Sequence, residues 1–234
     1  MFSGRLTRLG AIAATAVVIA GGAYGIVAAT AGNNGSATTT TVASAAPAAG
    51  RSALGGGGSN ARSGPAAGGT SGTIDSVSGS GFMLSTPAGQ TVTINRTSST
   101  TYRKGTSATS ASVVKKGVSV LVLGTVNGTA ITASQVNVQS ASSTASKVVP
   151  FQRGAPSTAR QVGQVPANYT QGSGTIVSGT NANKATQAAL TAYPGGIVDR
   201  VVKVSSSVYE VHNIGVNWPH HIFVNQTFNV VGAN

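Results

Sequence analysis

The chain has 234 residues, with 15 Lys and Arg against three acids, three His and no Cys, for a formal net charge of +12. Without cysteine, disulfide frameworks and thiolate chemistry are both excluded. Thirty-two glycines and an aromatic content of 5% also exclude a chain that is packed core throughout, since glycine brings no side chain to bury.

At the start of the chain, Arg5 and Arg8 precede an uncharged run from Leu9 to Ala31. Two cations ahead of about twenty apolar or small residues predict an export signal or a membrane-anchoring helix over residues 1–31. The run is longer than the usual core of a cleaved signal, which favours an anchor, while Ala29-Thr30-Ala31 offers a small-x-small cleavage site. Both outcomes place the remainder outside the cytoplasm, secreted or held at the cell membrane. Setting Arg5 and Arg8 aside leaves 13 cations against three acids, a net charge of +10. These cations are scattered singly or in pairs (Arg103-Lys104, Lys115-Lys116) with few aromatic residues to stack bases, which argues against nucleic acid. Outside the cytoplasm the anionic partners left are wall polymers, lipid headgroups and acidic proteins, and the charge also serves solubility alone.

Residues 32–71 are low in complexity, with a Thr run at Thr38 to Thr41 and a Gly run from Gly55 to Gly58, and predict a disordered linker. From 72 to 138 the pattern alternates: Ile74 to Val77, Phe82 to Leu84, Val92 to Ile94, Val118 to Leu123, and Ile131 to Val138. Turn residues separate these runs, with Asn127-Gly128 as the hairpin signal. Period-two runs of this kind predict a small antiparallel β-barrel. Val118 to Leu123 is apolar on both faces and is expected to be its central strand. The positions Gly72-x-Ile74-x-x-Val77, Phe82-x-Leu84, Gly89-x-x-Val92-x-Ile94, Gly117-x-x-Val120-x-Val122-x-Gly124 and Ile131-x-Ala133-x-x-Val136 resemble a small barrel domain of unknown function found in exported bacterial proteins. The resemblance implies an OB-like fold and no catalytic residues. Phe82 and Tyr102 are the aromatic candidates for a binding face, with Phe82 expected in the core.

Residues 139–179 return to Ser, Ala, Gly and Pro and predict a second disordered linker. Within it, Ser173-Gly-Thr-Ile176 echoes Ser71-Gly-Thr-Ile74, a chance match or at most a short added strand. Residues 180–234 predict a helix capped by Thr180 or Asn181 and stopped by Pro194-Gly195-Gly196, then short strands at 197–204, 208–214, 222–224 and 227–231. The expected fold is therefore mainly β with one α+β module: a small antiparallel barrel, then a helix packed on a short antiparallel sheet, joined by disordered linkers. The last segment resembles the PepSY family through Ala188-Ala189-Leu190, Tyr193-Pro194-Gly195, Val198-Asp199-Arg200-Val201, Tyr209-Glu210-Val211-His212 and Val224-Asn225-x-x-Phe228-x-Val230-x-Gly232. The resemblance implies a module that binds and restrains peptidases near the cell envelope. Asn225 stands where that family commonly has an acid, and Gly215 to His221 replaces its short Asp-Gly hairpin.

Chemistry concentrates in this last segment. Glu210 and His212 are two apart on a strand and share a face. His220 and His221 are neighbours, so only one can join them. Glu210, His212 and His221 form a weak candidate metal site; the alternative is a row of polar positions on a half-buried sheet. Asp199 and Arg200, adjacent on a strand, are expected on opposite faces. Trp218, with Tyr209 and His220 near it, is the candidate partner-binding cluster. The competing reading folds Trp218 back as a lid on a thin core. There is no Gly-x-Ser-x-Gly elbow and no phosphate loop with a Lys, and three acids spread over two segments do not assemble a paired-carboxylate site. The chain reads as a non-enzymatic envelope protein without cofactor, its partner an envelope protein or peptide, such as a peptidase, or else an anionic wall polymer met by the basic surface.

Overall fold

The longest strand of the fold begins inside the segment whose composition predicts disorder. Strand β1 spans Ala66–Val77, and its first residues are Ala-Ala-Gly-Gly-Thr-Ser. The computed structural model describes residues 64–140, 148–152, 162–163, 165–167 and 169–234, all within one unit, Ser52–Asn234. The expected signal or anchor over 1–31 and the linker up to residue 63 lie outside them. No helix among the described residues is long and apolar enough to cross a membrane.

After β1 the strands are β2 (Gly81–Ser85), β3 (Thr91–Asn95), β4 (Thr101–Lys104), β5 (Ser107–Thr109), β6 (Ser119–Asn127) and β7 (Ala130–Val138). Three short ones follow, β8 (Val149–Pro150), β9 (Val162–Gly163) and β10 (Thr175–Val177). Then come helix α1 (Gly179–Ala192) and β11 (Ile197–Lys203), β12 (Val208–Ile214), β13 (Val216–Trp218), β14 (His221–Asn225) and β15 (Val230–Ala233).

Five strands close a barrel: β1 pairs with β2, β2 with β3, β3 with β7, β7 with β6, and β6 returns to β1. The β3–β7 pairing is parallel, as is β4–β7. The β6–β7 hairpin turns through Gly128 at φ 59°, a conformation that favours glycine. Ile74, Phe82, Leu84, Val92, Ile94, Val120, Val122, Ile131 and Val136 fill the interior.

β1 also carries the chain out of the barrel. One edge pairs with β6 from Ala66 to Thr73. The other edge pairs first with β11, at Gly69 and Thr70, and then with β2 from Thr73 onward. The result is one 13-stranded sheet running from β5 through the barrel to β11, β12, β14, β15 and β9. Glycine makes this possible. A Cβ on Gly68 would lie 2.0 Å from the Val198 carbonyl oxygen, and one on Gly69 would lie 2.2 Å from that of Val122. Thr70 Oγ1, fully buried, donates to the Gly196 carbonyl at 2.7 Å and closes the junction.

Helix α1 seals the seam. It begins after Ser178, which makes no side-chain capping bond, so the expected Thr180 or Asn181 cap is displaced into the first turn. Its buried face is Ala182, Ala185, Thr186, Ala189 and Leu190. That face packs against Leu121 and Leu123 of β6 as well as Val201, Val211 and Ile222 of the later strands. This explains why Val118 to Leu123 is apolar on both faces: Val120 and Val122 point into the barrel, while Leu121 and Leu123 point at the helix.

The expected fold class is thereby corrected. The barrel is not purely antiparallel, and the helix does not sit on a self-contained short sheet but on strands of both halves; the expected second linker over 139–179 lies in part outside the described residues. The helix bridges both halves because its alanine face is narrow enough to approach both parts of the one sheet, and β1 is shared because its glycines admit a neighbour on each side. Within 139–179, β8 pairs with β13, β9 with β15 and β10 with β11.

Replacing Gly68 by Val is expected to cost at least about 1–3 kcal/mol, the usual penalty for overpacking, read as a lower denaturation midpoint. A Cβ on Gly64 would meet nothing within 4 Å, so Gly64→Ala should leave that midpoint unchanged.

Candidate functional site

Two places gather polar side chains. The first lies on the face of β11, β12 and β14 turned away from α1. Arg200, His212 and His221 are consecutive across these strands, Arg200 opposite His212 and His212 opposite His221. Asp199 joins them because β11 bulges: Val198 pairs with Asn213 and Arg200 with His212, leaving Asp199 as the extra residue. The bulge cancels the period-two alternation, so Asp199 and Arg200 meet instead of facing opposite ways. Arg200 Nη1 donates to both Asp199 carboxylate oxygens at 3.2 Å, and His212 Nδ1 lies 2.7 Å from Asp199 Oδ1.

A second pair adjoins it. His221 Nδ1 lies 2.5 Å from Glu210 Oε1, and Tyr169 donates its hydroxyl to the same oxygen at 3.0 Å. Glu210 is only 1% exposed. The His212 and His221 rings are 5.2 Å apart, and Tyr169 meets Phe223 edge-on at 4.9 Å. Burial raises the Tyr169 pKa, and the neighbouring Glu210 charge adds to the rise, so Tyr169 stays a proton donor. His220 is turned elsewhere, its Nδ1 3.2 Å from the Asn213 carbonyl oxygen. Burial lowers its pKa; the bond to Asn213 opposes this, and His212 and His221 add to it.

Glu210, His212 and His221 are therefore close together, but His212 Nδ1 meets Asp199 and His221 Nδ1 meets Glu210 Oε1 rather than a common point, and Glu210 Oε2 is buried without a hydrogen-bond partner among the described residues. Among the described residues no three His, Cys, Asp or Glu side chains are grouped to hold a metal ion. The partner-binding candidates do not form one patch. Tyr209 is 8% exposed and stacks on Phe228 on the helix side of the sheet. Trp218 is half-buried against the α1 core, edge-on to Tyr193 at 5.3 Å. Its Nε1 is buried without a hydrogen-bond partner among the described residues, so the indole is folded inward as a lid. Phe82 is in the barrel core and Tyr102 packs at its margin.

The second place is an open-sided cleft of about 840 Å³ between barrel and helix. Its floor is Gln135 and Asn137 of β7 with Leu123 of β6; the β4–β5 hairpin, bearing Arg103 and Lys104, forms one wall, and α1, bearing Asn183, Lys184 and Gln187, the other. Arg103 Nη2 donates to the Thr106 carbonyl at 2.6 Å, which fixes the guanidinium on its hairpin. Gln135 Nε2 donates to Asn137 Oδ1 at 2.7 Å and orients both amides. None of the three acids, Asp75, Asp199 and Glu210, lines this cleft. In the sequence Arg103-Lys104 stands out only as one of two basic pairs and Lys184 not at all, because no local signal reports that a helix far along the chain docks beside the hairpin.

Comparison with protein-family models, curated proteins and solved structures finds no match.

Breaking the buried pair by Glu210→Ala is expected to cost about 3–5 kcal/mol, because it strands partners in a dry environment; the Glu210→Leu/His221→Leu double variant recovers most of it in denaturant unfolding. For His220 the folded pKa lies below its ordinary 6.5. The unfolded chain thus takes up the proton first, so its contribution is complete above pH 6.5 and is lost as pH falls. The stability of the wild type relative to His220→Gln should decline on that acid side and be level above it.

Proposed function

We propose that the protein is a non-enzymatic component of the cell envelope that adheres to anionic wall polymer through its folded, basic surface. The N-terminal segment delivers the folded part across the membrane and either holds it there or is removed. The observation that supports adhesion is how the fold sorts charge. Asp199 and Glu210 are 6% and 1% exposed and face Arg200, His212 and His221. Asp75, the remaining acid, accepts a hydrogen bond from Ser85 at the β1 bulge. Arg103, Lys104, Lys115, Lys116, Lys184 and Lys203 stay at the surface. Cations thus face solvent with almost no acid between them, which gives a long-range attraction to polyanions that salt screens.

A second reading, binding of a protein or peptide such as a peptidase, draws on the PepSY resemblance and on an open groove along α1. That groove, about 540 Å³, has Ala188, Ala192, Phe228 and Val230 as its apolar lining, with Lys184, Gln187, Thr191 and Asn229 beside them. Phe228 is held at φ 60°, which a bulky side chain rarely adopts.

Salt separates the two readings. Retention of the protein on an anionic wall preparation should weaken steeply as ionic strength rises, whereas capture of a peptide in the groove along α1 should persist and be blocked by Ala192→Arg. Retention indifferent to salt would overturn the adhesion reading.

A further inference from the structure

We infer that the cleft between the β4–β5 hairpin and α1 is a specific binding site for a hydroxyl-rich polyanion segment, a chain that repeats phosphate or carboxylate groups among hydroxyls. The inference rests on the adhesion reading and narrows it from a diffuse surface to one place. Arg103 and Lys104 stand on one wall; Lys184 stands on the other, at the rim shared with the neighbouring groove, its Nζ 5.2 Å from the centre of the Phe228 ring. The cleft thus has cations on two sides and no acid in its lining, which attracts an anion into it. Arg103 supplies a planar fork suited to two oxygens of one phosphate or carboxylate, and each Lys supplies a point charge.

The rest of the lining says what accompanies the anion. Gln135, Asn137 and Gln187 present primary amides, each able to donate and to accept, which is what hydroxyl groups require. No aromatic side chain is in the lining. A nucleic-acid strand would leave its bases without a stacking partner there, so a polyol or sugar backbone fits better. The open side suits a polymer passing through rather than an enclosed small molecule. The volume is that of an ordinary ligand site.

The test titrates the full chain with two soluble probes, an oligo(glycerol phosphate) and an oligogalacturonate, at one moderate ionic strength, with a single-stranded oligonucleotide as competitor. Lys115 and Lys116 are exposed and lie outside the cleft, so Lys115→Gln/Lys116→Gln is a charge-matched control for Arg103→Gln/Lys104→Gln. The expected result is binding of at least one probe that weakens about tenfold or more in Arg103→Gln/Lys104→Gln and in Lys184→Gln, and by less than about twofold in the control. Which probe binds identifies phosphate or carboxylate as the anion. Equal weakening in control and cleft variants would overturn the site while leaving diffuse adhesion standing. An oligonucleotide that competes as well as the probes would overturn the ligand class. Failure of the wild type to bind either probe even at low salt would remove the adhesion reading itself.

Discussion

Everything in this fold depends on how closely three backbones approach at Gly68, Gly69 and Thr70. β1 has β6 on one side at all three positions and β11 on the other at Gly69 and Thr70, and the space where Cβ atoms of Gly68 and Gly69 would sit is taken by the carbonyls of Val198 and Val122. Ladder hydrogen bonds on both edges leave no room for side chains pointing along the sheet at the crossover. Glycine costs conformational entropy in a strand, by roughly 0.5–1 kcal/mol relative to Ala. Here that cost is offset because the pairing joins two small cores into one. Neither set of strands is large, and small domains without disulfides or metals are marginal by themselves. Sharing β1, and sharing α1 across the seam, lets Leu121 and Leu123 be buried on the outer face of a barrel strand.

The scarcity of acids shapes the electrostatics in the same way. With so few carboxylates, the chain places two of them where strands bring Arg and His beside them, and it uses a bulge to turn Asp199 toward that face. A buried pair of this sort is rarely a large net gain over apolar packing, but losing one partner is costly. At the surface the consequence is that two of the three carboxylates are withdrawn, Asp75 alone staying exposed, and the exterior is cationic.

The fold is legible in the sequence where alternation and turn residues agree. The five runs between Ile74 and Val138, the double-sided apolar stretch at Val118 to Leu123, and the helix stop at Pro194 are visible as patterns, whereas the short polar strands β4 and β5 are not. Composition misleads where a strand is built of small residues, because Ala66 to Ser71 looks like the linker that precedes it. Small side chains are read as absence of a core, although here they mark a place where backbones touch. The bulge at Asp199 is equally hidden, since alternation assumes an unbroken register. At the candidate sites, Glu210 with His212 follows from a two-residue spacing on one strand. Tyr169 lies in a segment without periodicity, and nothing local links Lys184 to Arg103. Such juxtapositions are set by which elements dock, and docking is decided by the glycines.

The cleft is thus a product of the junction rather than of either half. Its hairpin wall hangs from β7 through β4. Its helical wall is fixed by alanines seated against β6 and the later strands. The distance between the two basic walls is therefore set by the β1–β6–β7 ladders and by the β1–β11 contact. A looser junction would let α1 and the hairpin move apart, and the cations would lose their common focus while keeping their number. Net charge, which survives such loosening, cannot substitute for this alignment: it attracts any polyanion, whereas three cations and a row of amides at fixed positions can distinguish one polymer from another.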